Sequence, residues 1–78
     1  MTGEEAAHIR REVLHMSPTA LAKALRMRGK NAPTRIRGWE TGRDDVPGWV
    51  EVIFAMVRGC EACRAKFITD GGRNLAAP

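Results

Sequence analysis

The most informative stretch of the chain lies between residues 17 and 42, which read SPTALAKALRMRGKNAPTRIRGWETG. Two short segments in it carry apolar residues at helical spacing, and a basic stretch containing a glycine separates them. Ser17 and Pro18 favour a helix start, because serine caps backbone N–H groups and proline fits the first helical position. Gly42 is suited to end the second segment, since glycine readily adopts the left-handed conformation that closes many helices. The stretch therefore predicts two short helices joined by a turn.

The first helix of this pair has one apolar side. Three residues form it: Leu21, Ala22 and Leu25. The helical pattern breaks after Leu25, and Gly29 is predicted to be the turn residue at the C-terminal end of the helix.

The second helix of the pair is predicted over residues 33 to 41. Its cap is Asn31 or Ala32: cap preference favours the asparagine, whereas a proline at the first helical position favours the alanine. Ile36 and Trp39 are three residues apart and are predicted to point inward. The outward residues are Thr34, Arg35, Arg37 and Gly38. A polar, basic outer side and an apolar inner side are typical of the second helix of a helix-turn-helix motif.

Three further helices are predicted around this pair, over about residues 3 to 15, 46 to 58 and 60 to 68. Strand patterns are poor, because sustained alternation of apolar and polar residues is lacking. The sequence thus predicts an all-α bundle of about five short helices, forming a single domain over residues 1 to 70. Asp70-Gly71-Gly72 is expected to end the fifth helix, and residues 71 to 78 are predicted to be a flexible tail.

The fourth helix is apolar on more than one side. One stripe contains Val46, Val50, Ile53 and Val57, and a second contains Trp49, Val52 and Met56. A domain of this size can cover one stripe, so the other is predicted to meet a second copy of the chain. The alternative is that the fifth helix and the tail cover it. The predicted dimer interface consists of Trp49, Val52, Met56, Cys60 and Phe67.

The charge of the chain is concentrated in one segment. The net charge is +4, and residues 23 to 43 contain seven cations and one acid, Glu40, which gives +6. A local basic block on a nearly neutral body is typical of proteins that bind polyanions. The alternative is an ordinary solvated basic surface.

Length and composition argue against several classes of protein. A chain of 78 residues forms one domain with little room for a substrate cleft, and no triad, carboxylate pair or phosphate loop has usable spacing. We therefore predict no enzyme activity, no cofactor and no small-molecule substrate. A membrane-spanning stretch is lacking, and the acidic start Glu4-Glu5 does not resemble a signal peptide, so a cytoplasmic location is expected.

Cys60 and Cys63 form a Cys-x-x-Cys motif. A zinc site needs four ligands, and a second such motif is absent, although His8 and His15 could complete one if the first helix lay beside the fifth. A thioredoxin-like site would need a preceding strand. The favoured interpretation is two buried free thiols on an apolar stripe, and both histidines are interpreted as ordinary surface or core residues.

Two segments resemble a known family. Ser17 to Leu25 resembles the S-x-x-x-L-A-x-x-L helix of the lambda-repressor/Cro-like family, also called the xenobiotic-response-element type. Residues 36 to 42 resemble its I-x-x-W-E-x-G ending, and Pro47 matches a proline that often opens the fourth helix. The resemblance covers about residues 5 to 58. Residues 28 to 31 depart from the family pattern as an insertion of about four residues, as in a subgroup with a longer turn.

The resemblance implies a five-helix fold that binds double-stranded DNA, usually as a dimer. Pro33, Thr34 and Gly38 match positions that reach base edges, and Arg35 and Arg37 flank them. Arg37 is the best candidate to bind guanine, followed by Arg35. Gly38 is either a site of close backbone approach to DNA or a tolerated surface glycine. The remaining predicted DNA-binding residues are Lys23, Arg28, Lys30, Asn31 and Arg43, with Arg43 matching a common phosphate contact. Arg26 is also expected to neutralise a phosphate.

Together these patterns predict a transcriptional regulator, in particular a repressor that binds a palindromic operator as a homodimer. Glu40 is expected to be structural, bonding backbone or an arginine near the second helix. The alternative function is a protein–protein interaction module, such as a phage or plasmid accessory protein or an antitoxin-like protein. It would use the apolar side of the fourth helix.

Overall fold

The computed structural model describes the backbone of residues 1–76 and the side chains of residues 1–70. Its helices are α1 (Gly3–His8), which continues as a π-helical segment (Ile9–Val13), α2 (Pro18–Ala24), α3 (Ala32–Thr41), α4 (Gly48–Gly59) and α5 (Glu61–Ala76). Strands are absent from residues 1–76. The predicted all-α architecture with five helices is therefore confirmed.

Side-chain caps explain where the first two helices begin. The Thr2 hydroxyl accepts the Glu5 N–H at 3.1 Å, and the Glu5 carboxylate accepts the Thr2 N–H in return. Ser17 caps α2 in the predicted way, since its hydroxyl accepts the Ala20 N–H at 3.1 Å. Each cap satisfies a backbone donor that the first turn of a helix would otherwise leave unpaired.

The core lies where α1, α2, α3 and α4 converge, and α5 packs against α2 and α4. Its fully buried large side chains are Ile9, Leu21, Ile36, Val50 and Phe54. Phe54 was not in either stripe predicted for α4. It replaces Ile53 at the centre of the buried face, and Ile53 is half-buried at its edge.

The start of α1 presses directly on the end of α3. A Cβ atom at Gly3 would lie 2.7 Å from the Glu40 carbonyl oxygen and closer still to that of Trp39. Backbone atoms cannot swing aside, so only glycine permits this approach. The contact fixes the last turn of α3 against α1.

The end of α2 differs from the prediction. The left-handed residue that closes it is Arg26, with φ of 62°, and Gly29 adopts its own positive φ three residues later. The Met27 N–H donates to the Ala22 carbonyl and the Arg26 N–H to the Lys23 carbonyl, which is the Schellman pattern. Gly29 was therefore the wrong residue for the helix end. A non-glycine residue in this conformation is uncommon and carries strain.

Other helix boundaries differ from the predictions by smaller amounts. Asn31 occupies the N-cap of α3 without a side-chain cap bond, and Gly42 ends α3 with φ of 83°, as predicted. The end of α5 was predicted wrongly, because this helix continues through Asp70-Gly71-Gly72 to Ala76. Of the predicted tail, residues 77 and 78 lie outside the described residues. No helix in the described part is long and apolar enough to cross a membrane.

Candidate nucleic-acid interface

The inner side of α3 is held in the core, as predicted. Ile36 is 1% exposed and Trp39 is 6% exposed. These two anchors fix the rotation of α3 about its own axis, and Arg37 between them therefore faces away from the core.

A largely buried ion pair adds a second anchor. Arg10 Nε donates to Glu40 Oε2 at 2.6 Å and Arg10 Nη2 donates to Glu40 Oε1 at 3.0 Å, so the pair is bidentate. The remaining guanidinium nitrogen, Nη1, donates to the Met16 carbonyl at 3.0 Å. Both side chains of the pair are 11% exposed. The arginine partner comes from the first helix, and it also secures the segment that leads into α2.

The outer side of α3 presents three of the four residues predicted there. Thr34, Arg35 and Arg37 are exposed. Thr34 and Arg37 are three residues apart and share one face of the helix. Gly38 was predicted to face outward but is buried. Its cover is formed by the side chains of Arg43 and Asp44, which lie where a Cβ atom would otherwise stand.

Arg43 lies back along α3 instead of extending from it. Its Nε atom is 3.3 Å from Asp44 Oδ2, and Nη2 approaches the Thr34 carbonyl at 3.5 Å. The Asp44 N–H donates to the Gly38 carbonyl at 3.1 Å. Both side chains remain well exposed, at 62% for Arg43 and 54% for Asp44. A phosphate contact by Arg43 would therefore require exchange of its carboxylate partner.

Six cations of α2, the turn and α3 form a group of exposed charges without counterions among residues 1–70. We call this the basic surface, and it consists of Lys23, Arg26, Arg28, Lys30, Arg35 and Arg37. All six are exposed, and within residues 1–70 none of them takes part in an ion pair or a side-chain hydrogen bond. Elsewhere Arg58 lies near Glu5 and Lys66 near Asp70. The unpaired cations are thus concentrated around one helix pair.

The basic surface includes a shallow concavity at the end of α2. It has a volume of about 330 Å³ and is lined by Lys23, Arg26, Met27 and Arg28. The left-handed conformation of Arg26 helps to build it, because this residue turns the chain between the other two cations. Arg26 was predicted to neutralise a phosphate, but its left-handed backbone conformation is invisible in the sequence pattern. Asn31 is exposed and Pro33 half-buried at the start of α3.

An apolar surface lies on α4. Trp49 is 49% exposed, Val52 is 61% exposed and Met56 is 53% exposed. The alternative in which the fifth helix covers these residues is wrong for residues 61–70 of α5. Phe67 is half-buried and lines a groove of about 300 Å³ between α4 and α5, together with Met56 and Cys63.

The predicted interpretation of the two cysteines as buried thiols on an apolar stripe needs correction. Both are half-buried, and Cys60 lies just before α5, where its Sγ atom accepts the Cys63 N–H at 3.2 Å. Both histidines are exposed. In the described part of the chain, no group of three or more His, Cys, Asp or Glu side chains is arranged to hold a metal ion.

Comparisons with protein-family models, with curated proteins and with solved structures found no match to this chain.

Proposed function

We propose that this protein binds duplex DNA, with α3 in the major groove and the turn after α2 beside the phosphate backbone. The observation that carries the proposal is the basic surface, whose six exposed cations lack partners within residues 1–70. A groove about 12 Å wide accepts a helix whose outer side is polar. The buried inner side of α3 supplies the rigid support that such a helix needs.

The roles follow from position on the helix pair. Arg37 and Thr34 share the outer face of α3 and are proposed to meet base edges, with Arg35 beside them. A bidentate arginine–guanine contact is worth about 1–3 kcal/mol of discrimination. Lys23, Arg26, Arg28 and Lys30 are proposed to neutralise phosphates. Four such contacts per copy predict a slope of about −3.6 for log affinity against log salt concentration.

The wider proposal is a cytoplasmic transcriptional repressor of the lambda-repressor/Cro-like type. It is supported by the two sequence segments quoted above and by the pairing of α2 with α3. The apolar surface of α4 is proposed to join two copies, so that two α3 helices would read a palindromic operator.

The decisive experiment selects bound duplexes from a random pool and then measures affinity for the selected and for random sequences. Arg37→Ala is expected to weaken binding to the selected duplex by about 1–3 kcal/mol and to relax one base position. Lys30→Ala should weaken binding to the selected and to the random duplexes alike. It should also reduce the slope of log affinity against log salt concentration by about one. Arg11→Ala is the matched control, because Arg11 is an exposed cation in the first helix, outside the basic surface.

Two outcomes would contradict the base-reading role. One is an equal loss on selected and random duplexes for Arg37→Ala, and the other is a loss of the same size for Arg11→Ala. The recovery of a palindromic consensus would support both sequence reading and a two-fold dimer.

A second candidate function is a protein-interaction module, which the exposed Trp49, Val52 and Met56 of α4 favour. In that case the basic surface would meet an acidic protein. Absence of DNA binding at about 50 mM salt, where phosphate contacts are strong, would favour this second candidate.

A further inference from the structure

The junction between α4 and α5 brings two thiols together. Cys60 is extended, with φ of −135° and ψ of 111°, and its N–H donates to the Met56 carbonyl at 2.9 Å. The chain then enters α5 at Glu61, and Cys63 lies in the first turn. The Cys63 N–H donates to Cys60 Sγ at 3.2 Å, so Cys60 acts as the N-cap of α5.

The two sulfur atoms differ in their surroundings. A hydrogen bond from the Cys63 thiol, followed by the Cys63 N–H, lowers the pKa of Cys60 from its ordinary value, and the positive charge of Arg64 adds to this. The same hydrogen bond to Cys60, together with burial, raises the pKa of Cys63. The first thiol of the motif is therefore the better thiolate and the second stays protonated.

Small molecules can approach the pair. Both cysteines are half-exposed, and Gly59 beside them has no side chain. A Cβ atom at Gly59 would meet no heavy atom within 4 Å, so the space next to Cys60 is open.

We propose that Cys60 and Cys63 form a thiol–disulfide exchange site whose substrate is a low-molecular-weight disulfide of the glutathione class. This inference does not depend on the proposed function. It rests on a pair of thiols at the start of a sixteen-residue helix, within reach of each other and of solvent.

The exchange takes place in two balanced steps. The Cys60 thiolate attacks one sulfur of the external disulfide, the external S–S bond breaks, and one thiolate leaves and is protonated. Cys63 then loses its proton to solvent and its sulfur attacks Cys60 Sγ, which breaks the mixed disulfide and releases the second external thiol. The external disulfide is reduced to two thiols, and the protein dithiol is oxidised to an intrachain disulfide.

The test treats the full chain with oxidised glutathione at neutral pH and follows its intact mass. The treated chain with its unaltered sequence should lose two hydrogens and retain no glutathione. Cys63→Ser should retain one glutathione, because the resolving thiol is gone. Cys60→Ser should react at least about tenfold more slowly, since it lacks the stabilised thiolate. Serine is a good N-cap, and helix content measured by circular dichroism checks that both variants keep the fold.

A second measurement needs no variant. Brief alkylation followed by tryptic digestion gives the peptide 59–64, which contains both cysteines and lies between two cleavage sites, after Arg58 and after Arg64. Fragmentation should place the first label on Cys60. The proposal is overturned if the label falls equally on both residues, if the unaltered chain keeps glutathione on both, or if it stays reduced while an unstructured thiol peptide reacts.

Discussion

An arginine–carboxylate pair lies on each side of α3, and the two pairs differ in exposure and in hydrogen-bond length. Arg10 and Glu40 on the inner side are 11% exposed and make two short hydrogen bonds. Arg43 and Asp44 on the outer side are 62% and 54% exposed and share a single hydrogen bond of 3.3 Å. The same functional groups therefore serve two purposes. The inner pair orients the helix, whereas the outer pair lies in water and can be exchanged for another anion.

The largest effect should come from breaking the inner pair. Glu40→Gln leaves the Arg10 guanidinium without its charged partner in a largely dry site. We expect the free energy of unfolding to fall by about 3 kcal/mol and the melting temperature by more than about 10 °C.

Chemical denaturation of this variant measures the loss, and Asp44→Asn is the matched control on the outer side. The control should change stability by less than about 0.5 kcal/mol. Similar losses for the two variants would mean that the pairs do not differ in the way their burial indicates.

The next largest effect is expected at the close contact between the start of α1 and the end of α3. Gly3→Ala places a methyl group against the Trp39 and Glu40 carbonyl oxygens, and we expect it to destabilise the fold by about 1–3 kcal/mol. Gly48→Ala is the matched control, because Gly48 is also the first residue of its helix and a Cβ atom there meets nothing within 4 Å. Thermal melts compare the stability of the two variants. An equal change in melting temperature would contradict the close approach of Gly3 to α3.

A smaller effect of opposite sign is expected on the outer side. Gly38→Ala gains helix propensity, and its methyl group meets only the ends of the Arg43 and Asp44 side chains, which can swing aside. We expect stability to rise by about 0.5–1 kcal/mol. If α3 enters a DNA groove as proposed, affinity should change little, because Arg43 and Asp44 already cover this position and keep DNA away from its backbone. Denaturation measures the stability of this variant, and DNA titration of the same sample measures its affinity. A loss of stability would contradict the conclusion that only flexible side chains cover Gly38.

The smallest expected effect on stability accompanies a gain in binding. Asp44→Ala removes a negative charge from the outer side of α3 and releases Arg43, so DNA affinity should increase by about two- to fivefold. Stability should change by less than about 0.5 kcal/mol. Asp45→Ala removes an equal charge from the neighbouring exposed residue, and its gain should be smaller. Equal gains would indicate a general charge effect without a role for the Arg43 pair.

Much of the helix arrangement follows from local patterns. Ser17-Pro18, Gly42 and the inward Ile36 and Trp39 are short-range features, because capping and helical periodicity act within a few residues. For the same reason, the exposed face of α3 could be predicted except at Gly38. The apolar stripe Trp49, Val52 and Met56 was separated from the core stripe by spacing alone.

The remaining features depend on contacts between distant segments. Arg10 and Glu40 are thirty residues apart, and Gly3 meets the far end of α3. Neither partner can be identified from spacing within one helix. The burial of Gly38 depends on two flexible side chains beyond the helix end, and the left-handed Arg26 contradicts local preference, which favours the nearby Gly29.

The basic surface has a thermodynamic consequence for the free protein. Six like charges between residues 23 and 37 repel one another, and acids are absent from that segment. Folding therefore works against this repulsion whenever no counterion is bound. A bound polyanion relieves it, so the occupied protein is expected to melt at a higher temperature than the empty one.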